Sequence, residues 1–162
     1  METTKTFYQN RYYNDVFGLI YESSIPTSQT KDKQKRMAFV SHLKDQVGNI
    51  KINRPQWPYK QKVTIALLVT GPLKYIQRID LDNAQKLLFD CLKGSVIKDD
   101  KQIFSVMAEK QILEYNGFLV GIRTLADNEI NYCIPPLYGE EERSSFGGAG
   151  ELVQWESSPI RY

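Results

Sequence analysis

RIDLDNAQKLLFDCLKGSVIKDDKQI, residues 78–103, holds five aspartates, Asp80, Asp82, Asp90, Asp99 and Asp100, in a chain whose formal charge is only +2. Its first half reads as a helix over residues 81–92. At 100° per residue, with Asp82 at zero, Lys86 falls at about 40°, Asp90 at about 80° and Lys93 at about 20°. Ala84, Leu87, Leu88 and Cys91 fall between about 140° and 240°. One face is therefore apolar and suited to a sheet, and the other aligns Asp82, Lys86 and Asp90 one turn apart. Gly94 is a stop, and residues from Ile103 onward read as a strand. A helix, a glycine turn and a strand thus follow one another along this stretch.

Local chemistry accounts for part of the acidic cluster. Asp82 is expected to cap the helix, with Gln85 three residues on completing a capping box. Lys86 is expected to pair with both Asp82 and Asp90, each pair contributing about 0.2–0.5 kcal/mol. Asp80 and the Asp99–Asp100 pair have no such reason, and the second pair is expected to fold back on the first. Clustered carboxylates repel unless a cation or proton lies between them. Oxygen ligands without His or Cys point to magnesium or manganese rather than zinc. A solvated acidic face is the competing account.

Working outward, residues 63–70 (VTIALLVT) form an apolar run bounded by Gly71-Pro72, the pattern of a buried strand. Residues 33–47 read as an amphipathic helix using Met37, Val40, Leu43 and Val47, with Gly48 as its stop. Residues 16–22 read as a first strand. Residues 103–113 and 117–125 read as two strands joined as a hairpin at Tyr115-Asn116-Gly117.

The chain's 162 residues suit one domain, residues 1–126, followed by a tail over residues 127–162. That tail mixes Pro, Gly and Ser with Glu140, Glu141 and Glu142, and reads as extended or disordered. Its Phe146-Gly-Gly-Ala-Gly150 run lacks the lysine and flanking elements of a phosphate loop. No run of eighteen apolar residues occurs and no signal-peptide core is visible. Cys91 and Cys133 read as reduced thiols, and His42, the single histidine, as a surface or boundary residue.

Charge is divided unevenly. Residues 1–110 carry 18 Lys/Arg against 11 Asp/Glu, whereas residues 111–162 carry 3 against 8. Nine of the cations lie between residues 31 and 62, with only Asp32 and Asp45 opposing them. A basic body with an acidic tail suits a polyanion partner; an ordinary solvated surface is the alternative.

The pattern Asp80-Leu81-Asp82-Asn83-x-x-Lys86-x-x-x-Asp90-x-Leu92, then Asp99-Asp100-x-Gln102-Ile103, resembles the RusA family of Holliday junction resolvases, small endodeoxyribonucleases often carried by phages and prophages. The resemblance is tight over residues 78–103 and looser over residues 16–125. It implies a compact α/β subunit, a mixed sheet packed against two main helices, acting as a homodimer in the cytoplasm, the host's if phage-encoded. It implies that Asp80, Asp82 and Asp100 are catalytic and hold Mg²⁺ (Mn²⁺ as a substitute), with Asp99 an auxiliary ligand and Lys86 the essential lysine. Asp90 would support the site without being a ligand. The substrate would be four-way or branched DNA. Lys31, Lys33, Lys35, Arg36, Lys74 and Arg78 are candidates for contacts to its phosphates. The loop following the first strand and the tail depart from the family pattern. A non-catalytic branched-DNA-binding accessory protein and a Mg²⁺-dependent flap or small-phosphate hydrolase are the rival readings.

Overall fold

The computed structural model describes residues 13–26 and 33–129. Among them the order is β1 (Asp15–Ile20), α1 (Lys33–Lys51), β2 (Val63–Gly71), α2 (Leu73–Ile76), α3 (Leu81–Leu92), a 3₁₀ turn (Asp100–Gln102), β3 (Ile103–Ile112) and β4 (Gly117–Thr124). The four strands form one mixed sheet in the order β1-β4-β2-β3. Only the β2–β3 pair is parallel. The 127–162 tail, with Cys133, lies outside the described residues from position 130 onward, as do Lys31 and residues 1–12.

One core holds the sheet to the helices. Phe17 and Leu19 of β1, Ile65, Leu67 and Val69 of β2, and Phe118, Val120 and Ile122 of β4 share a face by strand alternation. Phe39, Leu43 and Val47 of α1 and Ala84, Leu87, Leu88 and Cys91 of α3 pack on that face. The apolar stripe expected for α3 is thus buried as a unit. Burial pushes the Cys91 thiol up to about 12, so it stays a protonated thiol at neutral pH. Leu88 is fully buried beneath the site-bearing face. Leu88→Ala is expected to lower unfolding free energy by about 2–5 kcal/mol, through lost transfer energy plus a cavity. Denaturant unfolding measures this, and a loss under 1 kcal/mol would contradict the packing.

Three local expectations fail for identifiable reasons. Strands β3 and β4 are consecutive but do not pair; β4 lies between β1 and β2. A two-residue Asn-Gly hairpin needs positive φ at both central residues. Gly94 (φ 80) is the one positive-φ residue among those described, so Asn116-Gly117 forms no such turn. Helix α1 runs past Gly48 to Lys51, and Ile50 packs against the core. A helical glycine costs only about 1 kcal/mol, which tertiary burial offsets. Met37 is 71% exposed, because it lies about 120° around the helix from Leu43, while Phe39 takes the inward place.

Candidate active site

The short helix α2 leads from the end of β2 into Ile79, whose carbonyl accepts from Lys110 Nζ of β3 (3.2 Å). This fixes where α3 begins. The N-cap of α3 is Asp80, whose carboxylate accepts from the Asp82 N–H (3.2 Å). The expectation that Asp82 caps the helix is therefore corrected: Asp80 has extended backbone (φ −81, ψ 113) and Asp82 already lies in the first turn. Asp80 thus has a structural role that sequence reasoning denied it. Both carboxylates suit the positive end of the helix dipole.

Lys86 Nζ donates to Asp82 Oδ2 at 2.6 Å, one turn away. That hydrogen bond, with the charges of Asp82 and Asp80, raises the lysine's pKa above its ordinary value, so it is an ammonium at neutral pH. Asp90 does not share Lys86; it pairs with Arg36 of α1 at 3.1 Å. Asp82 and Lys86 are both largely exposed (68% and 62%), so their pair contributes little to stability and leaves both groups accessible to a ligand.

The second acidic pair sits at the opposite end of α3. Asp99 caps the 3₁₀ turn, accepting from the Lys101 N–H (3.1 Å), which holds its carboxyl below the usual range. Asp99, like Asp80, therefore has a capping role. Asp100 points to Lys93, the C-cap residue of α3, with 3.6 Å between Nζ and Oδ1. Twelve residues at 1.5 Å each place the ends of α3 about 18 Å apart. The second pair therefore does not fold back on the first within one chain. Among the described residues no three or more His, Cys, Asp or Glu are grouped to hold a metal ion.

The donor set still fits a hard divalent cation. Asp80 and Asp82 offer only oxygen, and magnesium commonly uses one or two carboxylates, waters and substrate phosphate. Basic residues accompany both acidic ends. Lys74 and Arg78 are exposed just ahead of Asp80. At the other end, Arg36, Lys44, Asp90 and Lys93 line a groove of about 600 Å³ between α1 and α3. Lys33 and Lys35 are exposed in the first turn of α1.

Four residues gain roles that sequence reasoning had not given them. Lys44 and Lys93 line the groove. Asn83 donates to the Pro26 carbonyl (2.7 Å), anchoring the loop after β1 to the start of α3. Gln102 ties down the Asp99–Asp100 turn. Only Asn83 and Gln102 carried a signal, as fixed members of the spaced pattern. His42 is exposed, its Nε2 lying 3.3 Å from the Ile20 carbonyl oxygen, which agrees with a surface role.

A carboxylate pair beside an ammonium, on an α/β fold with basic residues around it, suits the class of metal-assisted nucleases. The family model of endodeoxyribonuclease RusA matches residues 9–123, and the chain belongs to that family of Holliday junction resolvases. No curated protein matches the chain.

Lys86→Met tests the ammonium at this end of α3. With the neighbouring positive charge removed, turnover is expected to fall by roughly 10²-fold or more, the scale of losing one transition-state donor. Gel-shift affinity for a four-way junction should change little. Wild-type turnover in the variant would reduce Lys86 to a surface ion pair.

Proposed function

We propose that this protein is a Mg²⁺-dependent, structure-selective endodeoxyribonuclease that resolves Holliday junctions by paired nicking, acting as a homodimer in the cytoplasm. The observation that carries the reading is the division of the acidic residues between the two ends of one helix, each beside a lysine. Two copies related by a two-fold axis that runs their α3 helices antiparallel would meet as an isologous pair. Asp80 and Asp82 of one would then face Asp100 of the partner subunit, and the same site would form a second time. Two equal sites suit the symmetric cutting of two strands.

In this reading Asp80 and Asp82 hold the ion, with Asp100 and its neighbour Asp99 completing the set from the other subunit. When bound, Mg²⁺, or Mn²⁺ in its place, supplies a water nucleophile at neutral pH and neutralises phosphate charge. The water oxygen bonds to phosphorus, the opposite bridging P–O bond breaks, and the departing oxygen takes a proton. Lys86 leaves Asp82 for the scissile phosphate and stabilises its developing charge. Lys31, Lys33, Lys35, Arg36, Lys74 and Arg78, with Lys44 and Lys93, would track the arms through backbone phosphates.

A branched-DNA binder that does not cleave draws on one observation, the capping roles of Asp80 and Asp99. One assay separates the readings: purified protein, Mg²⁺, and labelled four-way junction, linear duplex, flap and nucleotide. Paired nicks confined to the junction are expected. Binding without nicks would establish the accessory role, and preferred cutting of flaps or nucleotides would establish the small-phosphate reading.

A further inference from the structure

Asp100 lies in a three-residue 3₁₀ turn rather than a long element, yet the proposed chemistry needs its carboxylate in one place. Gln102 supplies the restraint. Its Oε1 accepts from the Asp99 N–H at 2.7 Å, closing a capping box around the turn. Its Nε2 donates twice, to the Tyr59 carbonyl (2.9 Å) and the Gln61 carbonyl (2.8 Å). One amide thus uses both ends to fasten the acidic turn to the loop ahead of β2.

That loop is itself fixed. The Tyr59 N–H donates to the Val96 carbonyl (2.8 Å), and the Lys98 N–H to the Tyr59 carbonyl (3.3 Å). The Tyr59 hydroxyl donates to Asp15, a carboxylate only 6% exposed at the start of β1. Asp15 also accepts from Trp57 Nε1 (2.8 Å), Arg54 Nε (2.8 Å) and Gln56 Nε2 (3.2 Å). Burial and the bond to Asp15 push the Tyr59 hydroxyl's pKa well above its ordinary value, so it remains a donor at every physiological pH. A buried carboxylate meeting four donors is costly to disturb, because losing a donor leaves a buried charge underpaired and losing the carboxylate strands four donors.

We propose that Gln102 is a positioning residue for Asp100, and that the Asp15-centred network of residues 54–59 is the rigid body to which it fastens the catalytic turn. The inference rests on the nuclease reading above, in which Asp100 is a ligand. Residues that orient a metal ligand from behind commonly change metal affinity or activity by about 10–100-fold when removed.

The test compares Gln102→Ala, Gln102→Glu and Asp100→Asn in the full-length dimer. Glu keeps the acceptor for the Asp99 N–H but places a carboxylate oxygen against two carbonyls, so it should fail as Ala does. Both Gln102 variants should raise the Mg²⁺ concentration for half-maximal junction cleavage roughly ten-fold or more. Junction affinity in EDTA should be unchanged, and amides 99–101 should exchange faster with deuterium. Normal Mg²⁺ dependence in Gln102→Ala, with Asp100→Asn inactive, overturns the positioning role alone. Full turnover in Asp100→Asn overturns the site assignment and this inference with it.

Discussion

Mixing the Asp82→Asn and Asp100→Asn proteins is expected to restore junction cleavage that neither performs alone. In the proposed homodimer, each variant by itself carries the same lesion in both sites and should be inactive, since every site lacks one carboxylate. In a mixed dimer that shares sites across its two-fold axis, both lesions fall in one site and the other is wild type. Random exchange of equal amounts makes half the dimers mixed, so about a quarter of wild-type nicking should return, as single nicks. If all the ligands came from one chain, every site in the mixture would keep a lesion and no activity would appear. The two variants should bind junctions as well as the wild type or better, because a carboxylate near DNA phosphates repels them. Full cleavage by either variant alone would remove that residue from the site.

Withholding divalent metal is expected to reduce cleavage to background, a loss of many orders of magnitude. Mg²⁺ or Mn²⁺ should restore it. Ca²⁺ should support junction binding but poorly support hydrolysis, since its larger and more variable shell holds the attacking water less well. The single histidine, His42, lies on α1 with its Nε2 against the Ile20 carbonyl, so the acidic ends of α3 offer oxygen ligands, the donors that Mg²⁺ and Mn²⁺ take. Full activity in EDTA would end the metal-dependent reading.

The elements carrying the site were legible because their patterns are local. Residues 81–92 gave the α3 boundaries and its buried stripe, since a helix of alternating faces encodes its own burial. The buried strand β2 was read for the same reason, being apolar on both faces. Partners distant in sequence were not legible. Nothing between residues 103 and 125 says that β4 lies between β1 and β2, because that choice is made by residues 15–20 and 63–71. The candidate site shows the same division. Asp80, Asp82, Lys86, Asp99 and Asp100 stand out by spacing, but the length of α3 decides that they form two groups rather than one. Gln102 and Asp15 gain their roles only through the loop at residues 54–61, to which neither is close in sequence.

The placement of β4 also sets the order in which the chain can finish folding. Among the described residues strand β1 pairs only with β4, from Ile20 opposite Gly117 to Asp15 opposite Ile122, so this edge strand gains that sheet partner only after nearly 100 further residues have emerged. The helices and the β2–β3 crossover can assemble earlier. Closing the sheet requires a late insertion between two strands already present, a contact of high sequence separation and hence a slow one. Until then the edges of β1 and β2 are unpaired, and a nascent chain halted before residue 117 exposes both to pairing with other chains.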